Sequence, residues 1–188
     1  MDGAWVTLLV IPAFLLLFTA TRRHYEQVGR VLVSTEPLDC QITAEPVVVV
    51  PMGTWNASTR KALRFGMKVS GDVRAVYVRF EGSGDEVVGD WPRLVEAPAH
   101  AQGRNSPALV VLDSPYRQLL EPLIAYIEQV EHERPDAQVL VVIPELVEAR
   151  WYHYFLHNQR ATALKTRLYF RNDPRVVVAN VPWYLHQN

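Results

Sequence analysis

Five short, nearly uninterrupted apolar runs, rich in β-branched residues, mark the chain beyond residue 46: Val47–Val50, Val73–Phe80, Ala108–Leu112, Val139–Ile143 and Val176–Val181. Runs this short without polar alternation suit strands covered on both faces. The segments between them have helical periodicity. Asn56–Val69 sets Ala57, Leu63 and Met67 against Lys and Arg, and in Tyr116–Val130 residues Leu119, Leu120, Leu123, Ile124, Ile127 and Val130 recur at helical spacing. Repeated strand–helix–strand order predicts an α/β fold: a five-stranded, mostly parallel open sheet, doubly wound in a flavodoxin-like or similar order. The second crossover, Gly82–Pro107, carries four glycines and Pro92, Pro98 and Pro107, which predicts a mobile loop with at most a short helix over Glu86–Glu96.

Residues 4 to 20, AWVTLLVIPAFLLLFTA, form an uncharged apolar run ending at Arg22, Arg23 and His24. About 20 apolar residues cross a bilayer core, and Gly3 to Thr21 just reaches that length. A signal peptide fits poorly, because Met1, Asp2 and Gly3 supply no positive charge and the arginines follow the apolar run. A buried core helix is the remaining alternative. The positive-inside bias places the arginines in the cytoplasm and the N-terminus outside the plasma (inner) membrane. Thr21–Val33 can continue the helix, and Ser34–Glu45 reads as a linker. The expected parts are therefore a transmembrane helix over 1–21, a juxtamembrane helix and linker over 22–45, and a cytosolic α/β domain over 46–188.

The single Cys40 excludes an intramolecular disulfide framework and a Cys-based zinc site. A net charge of −1 argues against nucleic acid as a partner. Charge is nonetheless unevenly spread: residues 81–96 hold five acids and one arginine, and 150–175 hold six Lys/Arg and Asp173.

Open α/β sheets bind ligands beyond the carboxyl ends of their strands. That directs attention to Pro51–Asn56, Glu81–Gly84, Asp113–Arg117, Pro144–Glu148 and the chain beyond Val181. Gly103 is the last glycine, so no glycine-rich phosphate loop follows the third, fourth or fifth strand. Neither Pro51-Met52-Gly53-Thr54 nor Gly82-Ser83-Gly84 completes a nucleotide fingerprint. In Asp113-Ser114-Pro115-Tyr116-Arg117, Ser114 can cap a helix that Pro115 begins. The functional alternative is an anion site at that helix start, with Arg117 as its fork. Pro122 inside the same helix must bend it or disturb its first turns.

His153 and His157 are four apart on an expected Val147–Phe170 helix, but Tyr154 stands where a zincin has Glu, so no metal is expected. No nucleophile, base and orienting group assemble, so the chain is not read as an enzyme. The same segment crowds Trp151, Tyr152, Tyr154, Phe155, Tyr169 and Phe170 among Arg150, Arg160, Lys165, Arg167 and Arg171. It reads either as an aromatic core face with a solvated basic face, or as a contact surface for a partner, membrane or anion.

Several motifs occur in a fixed order: Ser114-Pro115-Tyr116-Arg117, Glu121-Pro122-Leu123, Val142-Ile143-Pro144-Glu145, His157-Asn158-Gln159 and Val181-Pro182-Trp183-Tyr184-Leu185. Together they resemble the cytosolic tail of bacterial permeases of the amino acid–polyamine–organocation superfamily, in the branch related to KUP-type potassium uptake systems. Val47–Pro51 and Asn56–Leu63 look like that tail's opening strand and helix, and the apolar start before Arg-Arg-His-Tyr resembles the last transmembrane helix. The resemblance implies a universal-stress-protein-like fold, homodimerisation, a membrane-embedded permease part as partner, and cyclic di-AMP as an inhibitory ligand. ATP binding, common in universal stress proteins, is put in doubt by the missing glycines after the fourth strand. The ligand-binding candidates are Asn56, Asp113, Ser114, Tyr116, Arg117, His157, Asn158 and Gln159. The expected function is a membrane-anchored regulatory and dimerisation domain of a potassium or amino acid permease. It would not transport alone, and a freestanding membrane-tethered nucleotide or cyclic-dinucleotide sensor is the rival.

Overall fold

Val47, Val48, Val49 and Val50 are fully buried, which requires cover on both faces of the strand that holds them. That strand, β1 (Val47–Met52), is the centre of a five-stranded sheet of order β3-β2-β1-β4-β5. Its neighbours are β2 (Val73–Phe80) and β4 (Val139–Val147), and β3 (Ala108–Ser114) and β5 (Val176–Tyr184) form the edges. All four pairings are parallel. The expected doubly wound α/β sheet is therefore present; its order is the 3-2-1-4-5 kind, not the flavodoxin one. The computed structural model describes residues 4–38, 40, 44–80, 85–114, 118–147 and 159–184, with side chains from Leu8 onward in the first helix.

The chain divides into two units, Met1–Gln41 and Ile42–Asn188. The first is built on one helix, α1 (Ala4–Leu32), which continues through the arginines. Among the described residues, no helix is long and apolar enough to cross a membrane. The part of α1 with described side chains meets Arg22 and Arg23 too soon for a full crossing length of about 20 residues. Its apolar side chains are nevertheless exposed, from Leu8 at 73% to Phe18 at 65%.

In the second unit, alternate residues of the buried strands feed two separate cores. Val47, Val49, Val139, Val141 and Ile143 meet Leu123, Ile127 and Val130 of α5 (Leu120–Glu133) and Leu164 and Leu168 of α6 (Gln159–Arg171). Val48, Val50, Val73, Ala75 and Tyr77 face the other way, against Ala62 and Leu63 of α2 (Ala57–Val69) and Trp91 and Val95 of the second crossover. α2 lies close because Gly66 has no side chain: a Cβ there would come within 2.9 Å of Val48 Cγ1.

The second crossover is more helical than expected: the short helix allowed over Glu86–Glu96 is present and continues to Ala101. Its described part is helical: α3 (Glu86–Trp91), a π-helical turn (Pro92–Glu96) and α4 (Ala97–Ala101) run on without a break. Trp91, Val95 and Ala99 recur every four residues and are all buried, so an apolar stripe holds the segment to the sheet. Proline in a helix interior removes an i→i−4 bond. Between Pro92 and Pro98 the hydrogen bonding shifts register, and the Ala97 N–H donates to Pro92 O. A π turn is a known way to absorb such a break.

Further expectations are corrected. α5 begins at Leu120, not Tyr116, and Ser114 lies on β3 instead of capping a helix. Pro122 then falls in the first turn of α5, where a missing N–H breaks no internal bond, so the helix needs no bend. β4 continues through Val147, and the helix expected over Val147–Phe170 is described from Gln159 to Arg171. Within it, Tyr169 (68% exposed) and Phe170 (85%) point away from the core, so they are not part of an aromatic core face.

Candidate functional site

Where β1 and β4 part, the sheet opens. They are paired only over Val47–Val49 and Val139–Val141, although β1 stays paired with β2 as far as Met52 and β4 with β5 as far as Val147. Both strands carry a proline just past the split, Pro51 and Pro144, neither of which can donate a ladder hydrogen bond. The split is also the topological switch point, since β2 and β3 follow on one side and β5 on the other. Doubly wound sheets bind their ligands at that place.

A cleft of about 320 Å³ fills the opening. Pro51, Met52, Ile143, Pro144 and Leu146 line it from the diverging strands, and Leu164 from α6. Its polar groups come from the β1–α2 turn and the first turn of α2: Thr54, Asn56, Ser58 and Thr59. Asn56 is the N-cap of α2, an extended residue whose Oδ1 accepts from the Thr59 N–H at 2.9 Å and from Ser58 Oγ at 2.9 Å. Its amide nitrogen donates to Thr54 Oγ1 at 3.2 Å, and Thr59 Oγ1 donates to Thr54 O at 3.1 Å. These bonds order the turn around a helix N-terminus, which favours negative charge. Among the described residues that line the cleft, none is charged. Among the described residues, no group of His, Cys, Asp and Glu is placed to hold a metal ion.

Beside the cleft, Glu145 on β4 meets Lys165 on α6 at 3.1 Å, with both side chains largely buried. A buried pair of this kind fixes how the helix sits on the strand, because either charge without the other would be strongly disfavoured.

Of the eight residues expected to form a ligand site, the described ones lie on separate elements. Asn56 lies at the cleft. Asp113 and Ser114 end the edge strand β3, two strands from the split. Asp113 is spent on Arg79, its register partner on β2, at 2.6 Å, and the same guanidinium reaches Asp85 at 3.0 Å. Arg79 holds the Asp113 carboxyl below the usual carboxylate range, and the two acids raise Arg79 in turn. Ser114 is buried and donates to Gln118 O at 2.9 Å. Gln159 is the first residue of α6. Tyr116, Arg117, His157 and Asn158 lie outside the described residues. The loops that begin at Pro51 and Pro144 were singled out from the sequence, but not that these prolines, after four valines and after Val-Val-Ile, mark where the strands stop pairing.

Residues 43–183, which hold the cleft and the five strands but for the last residue of β5, match the family described as the KimA potassium transporter C-terminal domain. The chain belongs to this family. A KimA relative, the potassium transporter KimA of Bacillus subtilis (strain 168), is 31% identical over 185 residues. That alignment takes in 96% of this chain, the N-terminal unit included, and 28% of the KimA protein. The chain thus spans less than a third of that relative's length. Membership in the KimA C-terminal domain family upholds the resemblance to potassium transporters at the level of this domain.

Proposed function

We propose that this chain is the membrane-attached regulatory and dimerisation module of a potassium-uptake permease, non-catalytic and unable to move the ion by itself. The match of residues 43–183 to a potassium transporter's C-terminal domain carries the reading. Potassium is preferred over amino acids because the relative is named as a potassium transporter. The wider amino acid–polyamine–organocation kinship and the likeness to universal stress proteins belong to the same proposal.

α1 is the membrane anchor in this reading. Its backbone is helical from Ala4, so the uncharged stretch to Thr21 extends about 27 Å at 1.5 Å per residue. A bilayer core of about 30 Å accommodates a slightly short segment by thinning or by snorkelling of its flanking residues. Exposed Leu15, Leu16, Leu17 and Phe18 require an apolar surrounding, and Thr19 satisfies its hydroxyl on Leu15 O at 2.8 Å. By the positive-inside bias, Arg22 and Arg23 favour a cytoplasmic α/β domain in this reading. Exposed Tyr169 and Phe170 on α6 support a contact between two copies, since aromatic residues are favoured at interfaces.

The test uses a bacterial strain lacking its own potassium importers. The chain alone should not restore growth at limiting potassium. Co-expressed with the transmembrane part of a KimA-type transporter, it should co-purify and alter uptake. Purification without any transporter, together with unchanged uptake, rejects the proposal. The second reading, a freestanding sensor of nucleotides or cyclic dinucleotides such as cyclic di-AMP, is favoured by one feature, the open cleft at the switch point. Calorimetry with cyclic di-AMP and ATP distinguishes the two: tight binding with no effect on any transporter supports the sensor.

A further inference from the structure

On the α2 side of the sheet, away from the split, α2 and the helical crossover leave a groove of about 420 Å³ between them. The volume is in the range of small-molecule sites, about 300–1,000 Å³. The floor is apolar: Leu63, Val95 and Ala99 are buried, with Met67, Leu94 and Pro98 at the walls. Three arginines line this groove, Arg60 and Arg64 from α2 and Arg104 beyond α4. Among the described residues no acid lines it, and α2 itself has none. Other arginines of this unit are ion-paired: Arg74 with Asp72 and Glu133, Arg79 with Asp85 and Asp113, Arg93 with Asp90, and Arg171 with Glu131. Arg60, Arg64 and Arg104 have no ion pair among the described residues. Where the adjoining hollow brings Arg104 beside Glu45, that carboxylate accepts from the Gly71 N–H at 3.2 Å.

We propose that this groove binds an anionic amphiphile, a carboxylate or phosphate head on a hydrocarbon chain. Guanidinium groups suit the head because their planar forks match carboxylate and phosphate oxygens. An apolar floor suits the chain, since each buried methylene contributes favourably where water is displaced. An inorganic anion would meet only exposed arginines, screened by salt within about 8–10 Å. An uncharged chain would leave the guanidiniums unanswered. Only a molecule with both parts uses both features. Such a ligand has two sources, the headgroups of the bilayer and free fatty acids or lysolipids. The site lies within the α/β unit and is independent of whether the chain gates a transporter.

The test places the whole chain in lipid nanodiscs and offers photoreactive probes: a diazirine fatty acid, the matching fatty alcohol, and a diazirine phosphatidylglycerol. The fatty acid or the phosphatidylglycerol should label Met67, Leu94 or Pro98, and the acid should exceed the alcohol by about tenfold, one charge-assisted contact's worth. Labelling by phosphatidylglycerol alone assigns the bilayer as source; labelling by the free acid alone assigns the soluble pool. The variant Arg60→Gln/Arg64→Gln/Arg104→Gln should lose the adducts with an unchanged melting temperature, and the matching triple Lys variant should keep most of them. Groove adducts from the alcohol as abundant as those from an anionic probe overturn the proposal, as do adducts undiminished in the Gln variant or the absence of groove adducts from both anionic probes.

Discussion

Gly66 shows how one residue sets the spacing between a helix and the sheet beneath it. In an exposed helix, Gly→Ala stabilises by about 1 kcal/mol, because alanine loses less backbone entropy. Here the added carbon would meet Val48 Cγ1 at 2.9 Å and Val73 Cγ1 at 3.3 Å. Val48 is fully buried on the central strand, and β-branched side chains have few rotamers to retreat to. Overpacking costs about 1–3 kcal/mol, so the propensity gain is outweighed. Gly66→Ala should therefore lower the denaturation midpoint, measured by circular dichroism in mild non-ionic detergent. A raised midpoint would show that α2 rides further from the sheet. None of this was legible in the sequence, where a glycine within Arg-Phe-Gly-Met-Lys looks only like a weak point in a helix. Asn56 is a similar case: its place in the turn after the first strand was legible, but its capping bonds to Thr59 and Ser58 depend on the observed turn.

At the scale of elements, the strand centres were legible and their carboxyl ends were not. Continuous valine, isoleucine and leucine runs identify buried parallel strands, and all five runs fall inside observed strands. The ends escape because residues with turn character remain in register. Pro144, Glu145 and Pro182 continue the β4–β5 ladder, and Asp113 and Ser114 continue the β2–β3 ladder. Reading Asp-Ser-Pro as a helix start followed from local chemistry alone, and the Arg79–Asp113 ion pair across the strands overrides it. The crossover's helix is longer than its sequence signals for the converse reason. Its prolines and glycines signalled a loop, while the four-residue recurrence of Trp91, Val95 and Ala99 carried the helix. The start of α5 offers a direct discrimination. With the helix beginning at Leu120, Pro122→Ala restores no internal hydrogen bond and should change stability by less than about 0.5 kcal/mol. Were the helix to begin at Tyr116, the same substitution would relieve an interior proline and stabilise by up to about 3 kcal/mol. Urea titration of the two proteins separates these values.

For the whole molecule, the apolar sheet supplies the cohesion and ion pairs tie its periphery together, which gives acid stability a definite form. Arg74, followed by Gln129, holds the Glu133 carboxyl below its ordinary range, and Arg79 does the same for Asp113. The Arg175 backbone N–H, donating at 2.9 Å, is the main cause of the lowered Asp173. A carboxylate whose folded pKa is depressed contributes stability that is fully present above its unfolded pKa, about 3.9 for Asp and 4.3 for Glu. That contribution disappears as pH falls through the folded value, because the native state must then bind the proton it had resisted. The arginine partners remain charged throughout and add no titration of their own in this window. The melting temperature should accordingly be insensitive to these three groups between about pH 7 and pH 5 and should fall below about pH 4. The variant Asp113→Asn/Glu133→Gln/Asp173→Asn should begin from a lower plateau and descend less steeply, since it has no such protons to take up. All three carboxylates are solvent-accessible, so added salt should shrink the difference between the two proteins by screening the pairs. A native protein that melts at a higher temperature at pH 3 than at pH 6 would mean that these ion pairs do not shape its acid response.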